Sequence, residues 1–279
     1  MAGTLYLCAT PIGNLGDITV RVIEILKSVD IIAAEDTRNT LKLLNHFEIK
    51  RPMTSYHQHN MDTKGPVLIE KLKDGKNIAL VTDAGMPGIS DPGEDMAKRC
   101  RQEGIPVTIA PGASAGISAL VLSGMDARRY IFEGFLPTDK KERQTVLKNL
   151  EKETRTTVFY EAPHRLTDTL GVLLKAAGDR EASTVREITK RYEEVKHGTL
   201  GSLLEYYKEN PPKGEFVVIV GGMSESVLRQ EEIDGWNSIS IEEHMKKYTD
   251  EGMSEKEAMK KVAKDRGVSK REIYAYLNR

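Results

Sequence analysis

The chain has 279 residues, 30% of them charged, with a formal net charge of −1. That length allows two ordinary domains with separate cores, and the near-neutral balance gives no general case for a nucleic-acid or membrane partner, so any basic surface must be local. Cys8 and Cys100 make no disulfide framework or metal spacing, the start Met1-Ala2-Gly3-Thr4 lacks a signal-peptide pattern, and no apolar run approaches the ~20 residues of a membrane helix, so a cytoplasmic place away from membranes is expected.

Residues 5–8 read as a short apolar strand. Thr19 caps a helix whose Val22, Ile23, Leu26 and Val29 follow the helical period. A second strand covers 31–34, a helix carries Leu41 and Leu44, and a third strand covers 53–56. Val67, Leu68 and Leu72 mark a helix ended by Gly75, followed by a strand at 77–81. A helix at 94–103 stops at Gly104, with a strand at 107–109 and a helix at 115–122 after it. Such alternation predicts a largely parallel sheet covered by helices. Strands at 130–135 and 157–160 then enclose a Lys/Glu-rich helix, and a helix at 166–175 ends near Gly178. Strands at 182–188 and 193–200 follow so closely that they should pair antiparallel. The β-branched run 216–220 belongs at the centre of a sheet. Residues 221–239 are polar and aperiodic and read as a linker before a small helical tail. The expected domains are 1–113, 114–222 and the tail 240–279.

Five connections are unusual, and each leaves the carboxyl end of an expected strand. They are Ala9-Thr10-Pro11-Ile12-Gly13-Asn14-Leu15-Gly16-Asp17, Glu35-Asp36-Thr37-Arg38, the run from Asp83 to Gly93, Pro111-Gly112-Ala113-Ser114-Ala115 and Glu161-Ala162-Pro163-His164-Arg165. The stretch Val81-Thr82-Asp83-Ala84-Gly85-Met86-Pro87-Gly88-Ile89-Ser90-Asp91-Pro92-Gly93 is the most informative, because its glycines and prolines let main chain approach a ligand closely. Ligands of open α/β sheets bind beyond the carboxyl edge. Four loops of one domain, faced by a fifth from the other, therefore predict a cleft that holds a small molecule. No G-x-G-x-x-G and no G-x-x-x-x-G-K-[ST] occur, which disfavours nicotinamide and P-loop sites. The residues by themselves reach a cleft-binding enzyme whose cofactor stays open.

These loops, with Tyr6-Leu7-Cys8 before the first and Tyr56-His57-Gln58-His59-Asn60 beside them, resemble those of the tetrapyrrole methylase superfamily of S-adenosylmethionine enzymes. More closely they resemble its ribosomal RNA small-subunit methyltransferase I branch, over about residues 4–222 and the tail. Pro11 departs from the superfamily pattern, which has a glycine there. The resemblance implies two α/β domains of tetrapyrrole methylase type with a ligand cleft between them. It implies S-adenosylmethionine as cofactor, a homodimer, and methyl transfer to the ribose 2′-hydroxyl of a cytidine in the decoding region of 16S ribosomal RNA, free or in the assembled small subunit. Carried onto the matching positions, Asp83, Ala84, Gly85 and Met86 border the methionine moiety and sulfonium. Ser114 and Ala115 hold the cofactor at a helix start, and Ile12 lies beside it. Tyr160, Glu161 and Ala162 approach the adenosine, and Gly214 and Glu215 close the floor.

A ribose hydroxyl is a poor nucleophile, so positioning and a general base should both help. Asp36, Glu35 and His57 are the candidate bases, with Asp17 a weaker one. Glu35 and Asp36 are loop neighbours that need not share a face, and one can pair with Arg38 for structure alone. Arg38, His164 and Arg165 are candidate RNA contacts, although Glu161 can also use the last two to pin its loop, and His57 and His59 suit a phosphate or base contact as well as catalysis. From Lys256 to Arg279 there are eight Lys/Arg against three acids, around the turn Arg266-Gly267-Val268-Ser269. This reads as a basic helix-turn-helix that offers Lys264, Arg266, Lys270 and Arg271 to an RNA backbone. Two other classes stay open: a tetrapyrrole or other small-molecule methyltransferase, against which the basic tail argues, and a non-catalytic RNA-binding assembly factor.

Overall fold

The first strands are apolar on both faces, which commits them to a sheet covered on both sides. The computed structural model describes residues 1–278; Arg279, counted above in the tail's charge, lies outside them. Strands β1 (Leu5–Cys8), β2 (Ile31–Ala34), β3 (Met53–Ser55), β4 (Ile78–Val81) and β5 (Val107–Ala110) pair in parallel in the order β3-β2-β4-β1-β5. Helices α1 (Val20–Ser28) and α2 (Thr37–His46) cover one face, and α3 (Met61–Lys73) and α4 (Gly93–Gln102) the other. Alternation along β4 shows why both layers hold: Ala79 and Val81 pack with Val22, Leu26 and Leu44, while Ile78 and Leu80 pack with Leu68, Leu72 and Met96. Val81 stands level with Cys8 and Ala34, and Cys8 with Ala110. Four connecting loops therefore leave the sheet at one height.

Helix α5 (Ala115–Ser123) follows β5 yet packs on the second sheet, where Ala119 and Leu120 meet Val158, Val185, Val217 and Ile219. That sheet consists of β6 (Tyr130–Phe135), β7 (Thr156–Glu161), β8 (Glu181–Arg186), β9 (Glu194–Thr199) and β10 (Phe216–Val220), in the order β6-β7-β10-β8-β9. β6 and β7 run parallel and the other pairs are antiparallel, including the expected β8–β9 hairpin. β10 is central and buried throughout. Helices α6 (Lys140–Glu151), α7 (Pro163–Ala177) and α8 (Leu200–Glu209) close the far side over Phe159 and Val218. Glu161 and Arg186 both lie opposite Phe216, and Glu194 opposite Arg186. The loop after β7 and the β8–β9 turn thus sit on one edge.

The interval 221–239, expected as a linker, holds helix α9 (Glu225–Asn237). It buries no residue fully, so it lacks the apolar period that announces a helix. It is held by docking: Trp236 stacks on His244 with ring centroids 3.9 Å apart, and Ile233 lies against Gly267. Helices α10 (Ile241–Asp250), α11 (Glu255–Asp265) and α12 (Lys270–Leu277) follow, each opened by a capping box: Ser240 with Glu243, Ser254 with Glu257, and Ser269 with Glu272.

His244 is fully buried, and its Nδ1 accepts a hydrogen bond from Arg266 Nε at 3.1 Å. Burial, followed by the charges of Arg266 and Lys247, lowers its pKa against a smaller pull from Asp265. Below the unfolded-state value of about 6.5 the unfolded tail binds the proton that the folded tail refuses, so its stability falls on acidification and is fully present above that pH. A tail melting transition that stays constant from pH 7 to 5 would contradict this.

Candidate active site between the two domains

The first loop is stitched to the loop after β4 by two main-chain bonds, Thr10 N–H to Gly85 O at 2.9 Å and Gly85 N–H to Thr10 O at 3.1 Å. Gly85 has φ +85, and a Cβ there would lie 3.4 Å from Ile12 Cγ2. It is the left-handed backbone, not the ordinary contact with Ile12, that only glycine meets without strain. Asp91 folds the rest of that loop by accepting the N–H groups of Gly88 at 2.9 Å and Gly93 at 2.7 Å. Asp83 reaches sideways, accepting Asp36 N–H at 3.1 Å and Asn39 Nδ2 at 3.2 Å, so it ties the end of β4 to the start of α2. Glu35 lies behind it and accepts the Thr82 hydroxyl at 2.8 Å.

From the other domain, Tyr160 accepts the Gly116 N–H at 3.2 Å and sits edge-on to Phe132 and Phe135. Burial raises its pKa. Glu161 has a fully buried side chain; it accepts Ala162 N–H at 2.8 Å and the Thr169 hydroxyl at 2.6 Å, with Arg165 Nε at 3.5 Å. These groups enclose a cavity of about 630 Å³ between the domains. Its apolar side is Ile12, Val185, Ile188, Phe216 and Val217. Six carboxylates border it (Glu35, Asp83, Asp91, Glu161, Glu187 and Glu215) against the single ammonium of Lys190. A cleft with that balance of charge favours a cation and disfavours phosphate.

Of the residues expected at the cofactor, Ile12, Asp83, Ala84, Gly85, Met86, Ser114, Ala115, Tyr160, Glu161, Ala162 and Glu215 all line this cavity. Gly214 does not. With φ +82, it leaves the space that Glu187 fills, since a Cβ there would lie 2.5 Å from Glu187 Cγ. Among the expected bases only Glu35 borders the cavity. Asp36 instead caps α2 and pairs with Arg38, whose guanidinium and N–H bonds hold its carboxyl at about 2, too weakly basic to take a proton from a hydroxyl. His57 lies beyond edge strand β3, off the cavity, bound to Asn60 at 3.2 Å.

His164 reaches the wall of the cavity, and Arg38 is exposed. Arg165 donates to Leu136 O at 2.7 Å, which makes it a brace for its own loop. The expectation for Arg266 is corrected: it is only 8% exposed, and its guanidinium bonds His244 and the carbonyls of Ile239 and Ser240. Lys264, Lys270 and Arg271 remain on the tail surface.

Glu187, Ile188 and Lys190 of the β8–β9 turn also line the cavity, and the sequence reading missed them. Their only signal was position: an antiparallel partner of a central strand returns its turn to the edge where β7 ends. Lys190 Nζ lies 3.0 Å from Glu187 and 2.9 Å from Glu215, and although partly desolvated it is held above the usual lysine range by Glu215 and Glu187.

The sequence pattern of the tetrapyrrole (corrin/porphyrin) methylases matches residues 4–204. A Halalkalibacterium halodurans protein named ribosomal RNA small subunit methyltransferase I is 50% identical over 98% of this chain and 93% of its own. The Bacillus subtilis protein of that name is 47% identical over the same shares. The crystal structure of a diphthine synthase superposes with a TM-score of 0.62 at 16% identity, covering 79% of this chain and 90% of that one. With the family pattern covering residues 4–204 and relatives aligned over 98% of the chain, the chain belongs to the tetrapyrrole methylase family and is a methyltransferase.

Proposed function

We propose that this chain transfers the methyl of S-adenosylmethionine to the ribose 2′-hydroxyl of a cytidine in the decoding region of 16S ribosomal RNA, in the cytoplasm. The fold alone does not choose the acceptor, since its structural neighbours are named for other substrates. The relatives that share about half of the sequence are named for small-subunit ribosomal RNA. The observation that carries the reading is the distribution of charge: carboxylates inside the cleft, and exposed Arg38, Lys264, Lys270 and Arg271 outside it.

The cavity residues fit the cofactor. Ile12, Ile188 and Val217 offer apolar cover to an adenine, and the carboxylates favour a donor that carries positive charge. When bound, S-adenosylmethionine supplies an activated methyl on a sulfonium. The protein's part is to bind that cation, exclude phosphates so that only a sugar and base enter, and hold Glu35 as the carboxylate placed to take the hydroxyl proton. A target that enters must leave its stack.

Val107 and Ile109 on the edge strand β5, and Ile117 and Val121 on α5, are exposed apolar side chains of the kind a second copy covers. A homodimer is part of the proposal and would show twice the 31.1 kDa chain mass in solution. No described helix is long and apolar enough to cross a membrane.

The test is methyl transfer to small subunits from cells lacking the protein, with the modified nucleotide mapped. Label on a cytidine ribose is the expected result, and label on a base, or none, rejects the proposal. Without residues 240–279 the protein should keep its cofactor affinity and bind RNA more weakly, with a shallower salt dependence. Unchanged RNA affinity across salt concentrations removes the role of the tail.

A further inference from the structure

The turn between β8 and β9 is built at a cost that a plain hairpin does not require. Glu187 has φ 50 and Thr189 φ 66, left-handed backbone without glycine, and Thr189 is β-branched. Short hairpins normally meet such angles with Asn-Gly or Gly, yet this turn reads Glu187-Ile188-Thr189-Lys190-Arg191-Tyr192-Glu193. Thr189 Oγ1 is buried without a hydrogen-bond partner. The strain is locked in from several sides. Lys190 N–H donates to Glu187 O at 2.9 Å, Glu193 N–H to Lys190 O at 3.1 Å, and Thr189 N–H to the Glu193 carboxylate at 2.6 Å. The Lys190 stem lies over Gly13 of the opposite domain, where a Cβ would be 2.4 Å from Lys190 Cγ.

This rigid frame presents an aromatic side chain. Tyr192 is 65% exposed, two residues from cavity-lining Lys190, and the Arg191 guanidinium carbon lies 5.6 Å from its ring centroid. An exposed aromatic with an arginine beside it, on the same turn as three residues that line an acidic cleft, suits an unpaired base. Strained backbone held by surrounding contacts points to function. We infer that Arg191 and Tyr192 form a stacking platform for an unpaired RNA nucleotide next to the one that enters the cleft, and that the strained turn and Lys190 set its position. This deepens the RNA methylation reading and rests on it.

The test is steady-state methyl transfer to RNA by wild type, Tyr192→Ala, Tyr192→Phe and Tyr192→Trp, with calorimetric titration of S-adenosylmethionine on each. Tyr192→Ala should bind the cofactor as wild type does and raise KM for RNA about tenfold or more, while the Phe and Trp variants stay within about twofold of wild type, because stacking needs the ring and not the hydroxyl. Wild-type KM in Tyr192→Ala, or an equal loss in Tyr192→Phe, overturns the platform while leaving the methylation reading intact. Absence of transfer to RNA by wild type overturns the methylation reading and the platform with it.

Discussion

Asp83→Ala should lose measurable affinity for S-adenosylmethionine, by about a hundredfold or more, while the protein stays folded. The side chain is exposed, so its removal opens no core cavity. It nevertheless does two things at the cavity wall. It brings one of six carboxylates to a site that has one ammonium, and it accepts bonds from Asp36 N–H and Asn39, which register the loop after β4 against α2. Those two bonds act on affinity only by holding the loop in place; losing that register together with a carboxylate facing a cationic donor should weaken binding about a hundredfold, or roughly 3 kcal/mol. Asp83→Asn keeps an acceptor and removes the charge, so it should fall between alanine and wild type. Calorimetric titration reads both. Wild-type affinity in the alanine variant would remove Asp83 from the site.

The largest loss of stability should come from Glu161→Ala. Its buried carboxylate satisfies Ala162 N–H and the Thr169 hydroxyl and lies 3.5 Å from Arg165. Removing it strands two donors and half of a partly buried ion pair, at about 3 kcal/mol. For a chain of this size that lowers the thermal midpoint by about 6–12 °C. Glu161→Gln retains an acceptor for Ala162 and a donor for Thr169 and should recover about half of the loss. Because the same carboxylate borders the cavity, the alanine variant should also bind cofactor poorly at temperatures where it is still folded. A midpoint within about 1 °C of wild type would show that the loop after β7 does not depend on it.

Periodicity was a good guide wherever an element buries a stripe. The strands of the first sheet and the central place of β10 followed from apolar patterning, and the β8–β9 pair from the short gap between its strands. It was silent on α9, which buries no residue and is held through Trp236 and Ile233. Charge was a poorer guide than pattern. Arg266 counts as a cation in the sequence, yet it serves as a buried clasp between helices, and Asp36 counts as a base but is spent on Arg38 and a helix start.

The sequence by itself determined the two α/β domains and the loops that border the cleft. Strand period and chain direction place those loops at carboxyl edges, and glycines, prolines and short polar side chains mark them locally. Which carboxylate faces the cavity, that Lys190 crosses to Gly13, and that Glu187 takes the space left at Gly214 were decided by the tertiary structure alone. These depend on the register of β8 against β10 and on how the second sheet meets the first loop. Both are contacts between residues far apart in the chain, and no local propensity encodes them.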